Sequence, residues 1–230
     1  MQKKQQGIFV TGTDTDVGKT WLGQIIIRQL REQGVKVIPR KPVESGWSID
    51  EETSTDAWLL AKAANQEHQL DLVCPNRFKA AVSPVRAAAM EQKTLHLETV
   101  KQQCIQTINN DEFLYVEGAG GFFSPLVSDG LNADLAKSLD LPVLLIAENK
   151  LGCINHILLS IAAIRSYQLP LVAIVLNTRE KTMLGDMNNF EDLQSLVDIP
   201  VFQIQYQQGG TDEALLQLLL EIVKPLHPLL

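Results

Sequence analysis

The feature that most constrains this 230-residue chain is a glycine-bounded loop between an apolar run and an amphipathic one. The loop reads Gly12-Thr-Asp-Thr-Asp-Val-Gly-Lys-Thr20, after the apolar run 7–12 and before apolar residues at helical spacing in 21–33. Backbone N–H groups of such a loop, together with the N-terminus of the following helix, point at an anion. The pattern predicts a phosphate-binding loop in which Lys19 reaches the β- and γ-phosphates of a nucleotide and the Thr20 hydroxyl binds Mg²⁺.

The loop departs from the usual spacing at its start. Thr13 stands where the first glycine is expected, and Gly12 comes one residue early. With glycine at ~7% of residues, a chance match to this looser pattern somewhere in the chain is on the order of 1%. The alternative interpretation, a strand–helix turn with a solvated lysine, is therefore the less favoured one.

Apolar runs and helical periodicities alternate along the whole chain, which is typical of α/β proteins. Several of the predicted strands are continuous Val/Ile/Leu runs, as expected of strands buried on both faces. We predict one domain over residues 1–230 with a doubly wound, mainly parallel sheet of the P-loop NTPase type, helices on both faces and ligands at the carboxyl ends of the strands. Pro39 is expected to close the second strand, and the segment Gly118-Ala-Gly-Gly121 to break the third. The predicted strands are 7–12, 35–38, 113–117, 142–147, 171–177 and 201–204, and the predicted helices are 21–33, 54–64, 95–108, 131–139, 154–167 and 211–223.

Composition excludes several other classes of protein. The chain has 27 acidic and 20 basic residues, a net charge of −7, which argues against a broad nucleic-acid-binding surface. The longest apolar runs, 142–147 and 169–176, are far shorter than the ~20 residues needed to span a bilayer. We find no signal-peptide pattern at the start. Three cysteines, an odd number without metal-ligand spacing, argue against a disulfide scaffold or a zinc site and favour the cytoplasm.

Three further charged residues are candidates for the chemistry of a nucleotide site, which needs acidic residues near the metal. Glu117 ends an apolar strand, Asp56 begins a helix, and Lys41 follows the second strand. Each has an ordinary alternative explanation: a solvated strand-end carboxylate for Glu117, a charge favoured by the helix dipole for Asp56, and a surface lysine for Lys41.

Six motifs in this order resemble the dethiobiotin synthetase family, over roughly residues 7–180. The phosphate loop is shared with many ATPases, whereas its combination with the glycine-rich and Leu-Gly-Cys motifs is more specific. The motifs are Thr11-Gly-Thr-Asp-Thr-Asp-Val-Gly-Lys-Thr20, Lys41-Pro-Val-Glu-Ser-Gly46, Ser54-Thr-Asp-Ala57, Ser83-Pro84, Val116-Glu-Gly-Ala-Gly-Gly121 and Leu151-Gly-Cys-Ile-Asn-His156.

The resemblance implies ring closure of 7,8-diaminopelargonate with CO2 and ATP, with Mg²⁺ as cofactor. One amine captures CO2 as a carbamate, a carbamate oxygen attacks the γ-phosphorus, and the second amine closes the ureido ring and expels phosphate. It also implies a C2 homodimer in which residues 152, 153 and 155 of one chain bind the substrate carboxylate held by the other. A capped helix with Cys153 as a small apolar filler in the core is the alternative for that motif.

The resemblance assigns roles to individual residues. Lys19 and Lys41 stabilise carbamate and phosphoryl charge. Metal ligands are Thr20, Asp56 and Glu117. The segment from Gly118 to Gly120 is expected to lie against nucleotide or substrate, where at its glycines only a backbone without Cβ can come close. The remaining nucleotide-binding residues are Asp16, Val17, Gly18, Trp21, Gly118, Ala119, Gly120, Asn177 and Thr178, and the substrate-binding residues are Thr15, Ser45, Gly152, Cys153 and Asn155.

Two departures from the family pattern concern the nucleotide base. Thr178 stands where the family usually has Asp, and residues 203–210 replace a Gly-x-x-Pro-type loop. We therefore expect looser base selectivity than a strict ATP enzyme shows.

Three alternative functions remain to be weighed. A partition-type regulatory ATPase would carry a signature lysine where this chain has Asp14. An amidotransferase of the cobyric-acid type needs a glutaminase domain for which 230 residues leave no room. An inactive paralogue would be expected to lose Lys19, Lys41 or a metal carboxylate.

Overall fold

The computed structural model describes residues 6–179, 187–206 and 213–223. In this part of the chain, six strands form one parallel sheet in the order β10-β9-β8-β1-β5-β2, and two small two-stranded sheets lie beside it. The strands are β1 (Gly7–Gly12), β2 (Lys36–Arg40), β3 (Val43–Ser45), β4 (Asn76–Phe78), β5 (Glu112–Gly121), β6 (Pro125–Val127), β7 (Gly130–Leu131), β8 (Val143–Glu148), β9 (Leu171–Asn177) and β10 (Val201–Ile204).

Helices cover both faces of the central sheet, which confirms the predicted doubly wound architecture. One hydrophobic cluster joins α1, α2 and α9 to one face, and a second joins α5 and α6 to the other. Among the described residues, no helix combines the length and apolarity that crossing a bilayer requires. The helices are α1 (Lys19–Glu32), α2 (Asp56–Ala63), α3 (Leu70–Val73), α4 (Pro84–Met90), α5 (Leu97–Ile105), α6 (Asn132–Leu139), α7 (Cys153–Ser166), α8 (Asn189–Leu196) and α9 (Glu213–Val223).

Strand β1 lies in the middle of the sheet, where the winding direction reverses. It pairs with β5 on one side, with Phe9 beside Val116, and with β8 on the other, with Phe9 beside Val143. The loops after β1, β5 and β8 leave the same edge, so this reversal creates a crevice at the carboxyl ends of the strands. The predicted phosphate loop and Glu117 therefore meet there.

Two strand boundaries predicted from the sequence are wrong. Pro39 does not close the second strand but pairs with Tyr115 inside β2. Since β2 is an edge strand, the missing N–H of a proline costs no ladder bond there. The segment Gly118-Ala-Gly-Gly121 does not break the third strand either, because β5 continues through it to Gly121.

Helix boundaries shift by one to three residues from the predicted ones. Helix α1 begins at Lys19 rather than 21, α2 at Asp56 after a 3-10 segment Ile49–Ser54, and α5 is shorter at both ends. Residues 211–212 of the predicted last helix lie outside the described residues. The sequence patterns did not predict the short elements β3, β4, β6, β7, α3, α4 and α8.

Asn132 explains why β5 can run through a glycine-rich segment. This fully buried amide accepts from Ala119 N at 3.1 Å and donates to Ala119 O at 2.7 Å and Gly121 O at 3.0 Å. A Cβ on Gly118 would stand 2.7 Å from Asn132 Oδ1. The absence of a side chain at 118 thus lets Asn132 hold the strand, and this packing within the chain is a second reason for that glycine beside the predicted contact with a ligand.

We predict that Asn132→Ala lowers the free energy of unfolding by about 2 kcal/mol, because it leaves main-chain groups of β5 without their partner. Urea unfolding measures this loss. The exposed Asn110 provides the matched control, since Asn110→Ala should stay within about 0.5 kcal/mol of the parent. Equal effects of the two substitutions would contradict the role given to Asn132.

Candidate active site

The phosphate loop ends in a left-handed glycine that sets the direction of α1. Gly18 has φ +94°, a conformation that residues with a Cβ rarely adopt, and it immediately precedes Lys19. Asn177, at the end of β9, donates its side-chain N–H to Val17 O at 2.9 Å. A side chain at Gly18 would collide with that amide. The loop is therefore held against the end of β9 as well as by β1.

Lys19 is buried at the base of this loop. Its Nζ donates to Asp14 O at 2.8 Å, and 6% of the residue is exposed. Burial, together with the nearby Lys41 ammonium, lowers the pKa of Lys19 to about 8. A lysine with this pKa has a strong preference for an anionic partner, because a nearby negative charge stabilises its ionised form and offsets the cost of burying it.

Lys41 binds both predicted carboxylates. Its Nζ lies 2.6 Å from Glu117 Oε1, 2.9 Å from Asp56 Oδ2 and 3.4 Å from Gly118 O. Burial alone would lower the pKa of Lys41, but Asp56 and Glu117 outweigh it and hold the pKa above its usual value. The same contact lowers the pKa of Asp56 against the opposing effect of its burial. The alternative of a surface lysine is excluded, since 3% of Lys41 is exposed.

The oxygen atoms beside Lys41 fit a magnesium ion. Thr20 Oγ1 donates to Glu117 Oε1 at 2.7 Å, and the Asp56 carboxylate accepts from the same Lys41 ammonium at 2.9 Å. Glu117 Oε2 is buried and has no hydrogen-bond partner among the described residues. Those residues contain no group of three or more His, Cys, Asp or Glu side chains placed to hold a metal ion by themselves. One hydroxyl and two carboxylates suit Mg²⁺, which takes few protein ligands and shares its remaining positions with phosphates and water.

Glu44 is a fourth buried charge that the sequence analysis did not single out. It lies on β3, three residues after Lys41, and its two carboxylate oxygens accept from the main-chain N–H groups of Asp56 and Ala57. Burial raises the pKa of Glu44. The only sign of Glu44 in the sequence was a carboxylate inside an otherwise uncharged segment. Its partner Asp56 lies twelve residues away, so no local pattern predicted their contact.

A cavity of about 290 Å³ lies between the phosphate loop and the end of β9. Arg179 spans one side of it and donates to Asp16 O. Behind the cavity, Asn149 Nδ2 donates to Thr178 Oγ1 at 3.3 Å and Asn189 supports Asn149. Residues 207–210 of the unusual segment lie outside the described residues, so looser base selectivity stays a prediction. The lining residues are Gly18, Trp21, Asn177, Thr178, Arg179 and Tyr206.

A second cavity, of about 550 Å³, brings together the predicted substrate residues of one chain. Thr15 and Ser45 line it, together with Ser83 and with Ala119 and Gly120 from the glycine-rich end of β5. A Cβ on Gly120 would stand 2.8 Å from Ser124 Oγ, so this glycine too serves packing within the chain. Thr15 and Asp16 belong to the phosphate loop and also line this cavity.

The structure does not bring residues 152–155 into that second cavity. Gly152 is exposed with φ +87° and begins α7, Asn155 is exposed, and Cys153 packs in the core with its N–H donating to Lys150 O at 3.1 Å. The side chain of Cys153 thus packs as a small apolar group in the core, which is the alternative given for this motif. Farther along α7, His156 and Leu159 face Thr13 and Asp14 across a separate groove of about 550 Å³.

The fold and this loop define a P-loop NTPase-type α/β protein. The MinC:MinD cell division protein complex of Aquifex aeolicus contains a similar chain, with a TM-score of 0.53 at 15% identity, covering 97% of this chain and 96% of that one. The septum site-determining protein MinD of Pyrococcus horikoshii has a TM-score of 0.51 at 16% identity, covering 98% and 90%. At such identities the likeness shows the fold alone.

Sequence comparison identifies the family within that class. The AAA_26 family, described as an AAA domain, matches residues 6–208. The ATP-dependent dethiobiotin synthetase BioD of Vesicomyosocius okutanii is 38% identical over 183 residues, covering 79% of this chain and 82% of the relative. That of Aeromonas salmonicida is 34% identical over 198 residues, covering 85% and 88%. The chain belongs to the dethiobiotin synthetase family, which confirms the resemblance seen in its motifs.

We predict that nucleotide binding at pH 8 is accompanied by proton uptake at Lys19. With a pKa of about 8, roughly half of the Lys19 side chains are neutral at this pH, and a triphosphate raises the pKa and protonates them. Calorimetric titration of ATP in EDTA, in buffers of different ionisation enthalpy, should show uptake of up to about half a proton. Lys19→Arg should abolish it, since arginine stays charged. Uptake that persists in Lys19→Arg would place the titrating group elsewhere.

Proposed function

We propose that this chain is a Mg²⁺-dependent dethiobiotin synthetase that converts 7,8-diaminopelargonate, CO2 and ATP into dethiobiotin, ADP and phosphate. Membership of the dethiobiotin synthetase family supports the reaction, and Lys41 carries the assignment of the site. This lysine lies beside the phosphate loop in contact with Asp56 and Glu117, where a reacting anion and a triphosphate would meet. We treat residues 1–230 as one catalytic domain.

The chemistry needs positive charge at two stages. An amine of the substrate attacks CO2 and loses a proton, which gives a carbamate anion. A carbamate oxygen then attacks the γ-phosphorus and displaces ADP, forming a carbamic-phosphoric anhydride. Lys41 and Lys19 stabilise the negative charge that converges at this step, and their fixed positions avoid the cost of reorganising solvent. The second amine finally attacks the carbonyl carbon, closes the ring and expels phosphate.

The residues around Lys41 hold the metal and the phosphates in register. We assign Thr20, Asp56 and Glu117 as the protein ligands of Mg²⁺, with Glu117 Oε2 as an oxygen still available for coordination. When bound, Mg²⁺ offsets charge on the β- and γ-phosphates. The backbone of residues 16–18 and the start of α1 bind the phosphates through their N–H groups.

The two cavities beside the loop receive the two organic substrates. We assign the smaller one, walled by Trp21, Asn177 and Thr178, to the nucleotide base. The larger one, lined by Thr15 and Ser45, is assigned to the diamine end of the other substrate. Gly118, Ala119 and Gly120 form the wall between phosphates and diamine, with Ala119 and Gly120 in the larger cavity.

We further propose a C2 homodimer with active sites at the interface. Leu151, Leu158 and Leu159 are exposed, by 78, 40 and 63%, on the side of α7 that also carries Asn155. Such a stripe of exposed leucines beside a polar groove is typical of a protein–protein contact. In such a dimer the partner's residues 152, 153 and 155 would lie near the carboxylate at the far end of the substrate, and the exposed Gly152 and Asn155, rather than the buried Cys153 side chain, would contact it.

The proposed compartment is the cytoplasm, with small molecules and a second copy of the chain as the only partners. Cys74, Cys104 and Cys153 are buried free thiols, as is usual in reducing compartments. The net charge of −7 disfavours nucleic acid as a partner.

The direct test of the function is incubation with diaminopelargonate, bicarbonate, Mg²⁺ and ATP, with mass spectrometry of dethiobiotin and ADP. We predict that Lys19→Ala and Lys41→Gln each slow ring closure by ~10²–10³. Glutamine is preferred to alanine at position 41, because alanine would leave buried Glu117 with no side-chain partner there and would cost stability. Glutamine keeps a hydrogen-bond donor there.

Lys36→Ala is the matched control, since Lys36 is an exposed lysine paired with Asp111. It should react at the parental rate. Parental turnover by Lys41→Gln would remove Lys41 from the chemistry, and formation of ADP without dethiobiotin by the parent would overturn the proposed reaction.

Shared active sites predict complementation between inactive subunits. We would combine Lys19→Ala with Asn155→Trp, because a substitution at Gly152 is strained by its positive φ. In a mixed dimer, one site pairs an intact loop with an intact α7, so activity should return in one of the two sites. Native mass spectrometry verifies the exchange of subunits. No recovery in verified mixed dimers would place the whole site within one chain.

A further inference from the structure

Glu44 completes a closed path of covalent and hydrogen-bonded contacts that starts and ends at Lys41. The main chain leaves Lys41, enters β3 and reaches Glu44, whose carboxylate returns to the first turn of α2. There Oε1 accepts from Asp56 N at 2.8 Å and Oε2 from Ala57 N at 3.0 Å. The Asp56 side chain then reaches back to Lys41 Nζ at 2.9 Å. The three residues of β3 have three different environments: Val43 packs in the core, Glu44 binds α2, and Ser45 lines the larger cavity.

The clamp by Glu44 matters because Asp56 has few other restraints. Its side chain is 44% exposed, and it begins a helix of eight residues that follows an irregular 3-10 segment. The direction of its Cα–Cβ bond is fixed by the first turn of α2. A carboxylate that binds two consecutive N–H groups of that turn fixes this direction and offsets two of the unpaired donors of a helix N-terminus.

We propose that Glu44 is a positioning residue that holds the Asp56 carboxylate in place beside Lys41, Thr20 and Glu117 by binding the first turn of α2. This inference rests on the proposed function for the meaning of Asp56 as a metal ligand. The two oxygens matter together, since only a carboxylate offers two acceptors at this spacing. A glutamine has the same shape but turns an NH2 group toward one of the N–H donors.

The chain supplies a matched control on the same helix. Thr55 is the N-cap of α2, and its hydroxyl accepts from Trp58 N at 3.3 Å. Thr55→Ala removes a cap of α2 without touching the N–H groups that Glu44 binds. A role limited to helix stability predicts the same behaviour for Thr55→Ala and Glu44→Gln.

The readout is the Mg²⁺ dependence of ATP affinity, measured calorimetrically as the ratio of Kd in EDTA to Kd in saturating Mg²⁺. We expect Glu44→Gln to reduce this ratio by about tenfold, the usual effect of losing a group that orients a metal ligand. Thr55→Ala should change it by less than about twofold, although both variants lower Tm. In an Asp56→Asn background, Glu44→Gln should have little further effect, since coupled residues are not additive.

Glu44→Asp distinguishes position from charge, because it keeps the negative charge but is one methylene too short to reach both N–H groups. We expect it to lose the Mg²⁺ dependence as Glu44→Gln does. Parental behaviour of Glu44→Asp, equal effects of Glu44→Gln and Thr55→Ala, or an undiminished effect in the Asp56→Asn background would each overturn the proposal. This measurement depends on binding alone. A parent that binds Mg·ATP but forms no dethiobiotin would refute the proposed function, while the binding data would still test the role of Glu44.

Discussion

The contact on which the rest of the site depends is the buried ion pair between Lys41 Nζ and Glu117 Oε1, at 2.6 Å. Glu117 is fully buried in the middle of the sheet, and a carboxylate there is tolerable only with a cation and hydrogen bonds beside it. Lys41 comes from the end of edge strand β2, and Thr20 from the first turn of α1 completes the partners of Oε1. The pair therefore joins the edge of the sheet to its centre at the point where the phosphate loop begins.

The same pair determines the electrostatics of the neighbouring lysine. Because Lys41 stays charged between its carboxylates, it contributes to lowering the pKa of buried Lys19. The site thus contains one cation that already contacts two carboxylates, Lys41, and one without a carboxylate contact, Lys19, whose charged form becomes more favourable when an anion arrives. This asymmetry suits a phosphoryl transfer in which a carbamate must approach a triphosphate despite their like charges. The partition-type alternative shares the fold, but Asp14 stands where its signature lysine is required and offers Lys19 only a main-chain carbonyl.

The sequence was sufficient wherever a local pattern corresponds to a local structure. The loop around Gly18 and the alternation of strands and helices follow from short-range chemistry, and the rule that parallel strands expose their carboxyl ends at one edge brings Lys41 and Glu117 together. The sequence was not sufficient where a residue distant along the chain determines the local structure. Nothing near Gly118 indicates that Asn132 keeps β5 extended, and nothing near Pro39 indicates that β2 lies at an edge. Glu44 was missed for the same reason, since its partners lie on another element.

The central claim is that this cluster serves the transfer of the γ-phosphoryl group to a carbamate oxygen. Oxygen tracing tests it most directly: the reaction is started with C¹⁸O2 and stopped before the label exchanges with water, and the products are analysed by mass spectrometry. Attack by the carbamate predicts that one labelled oxygen appears in inorganic phosphate and the other in the ureido carbonyl of dethiobiotin. Phosphate without label, formed together with labelled dethiobiotin, would contradict the account.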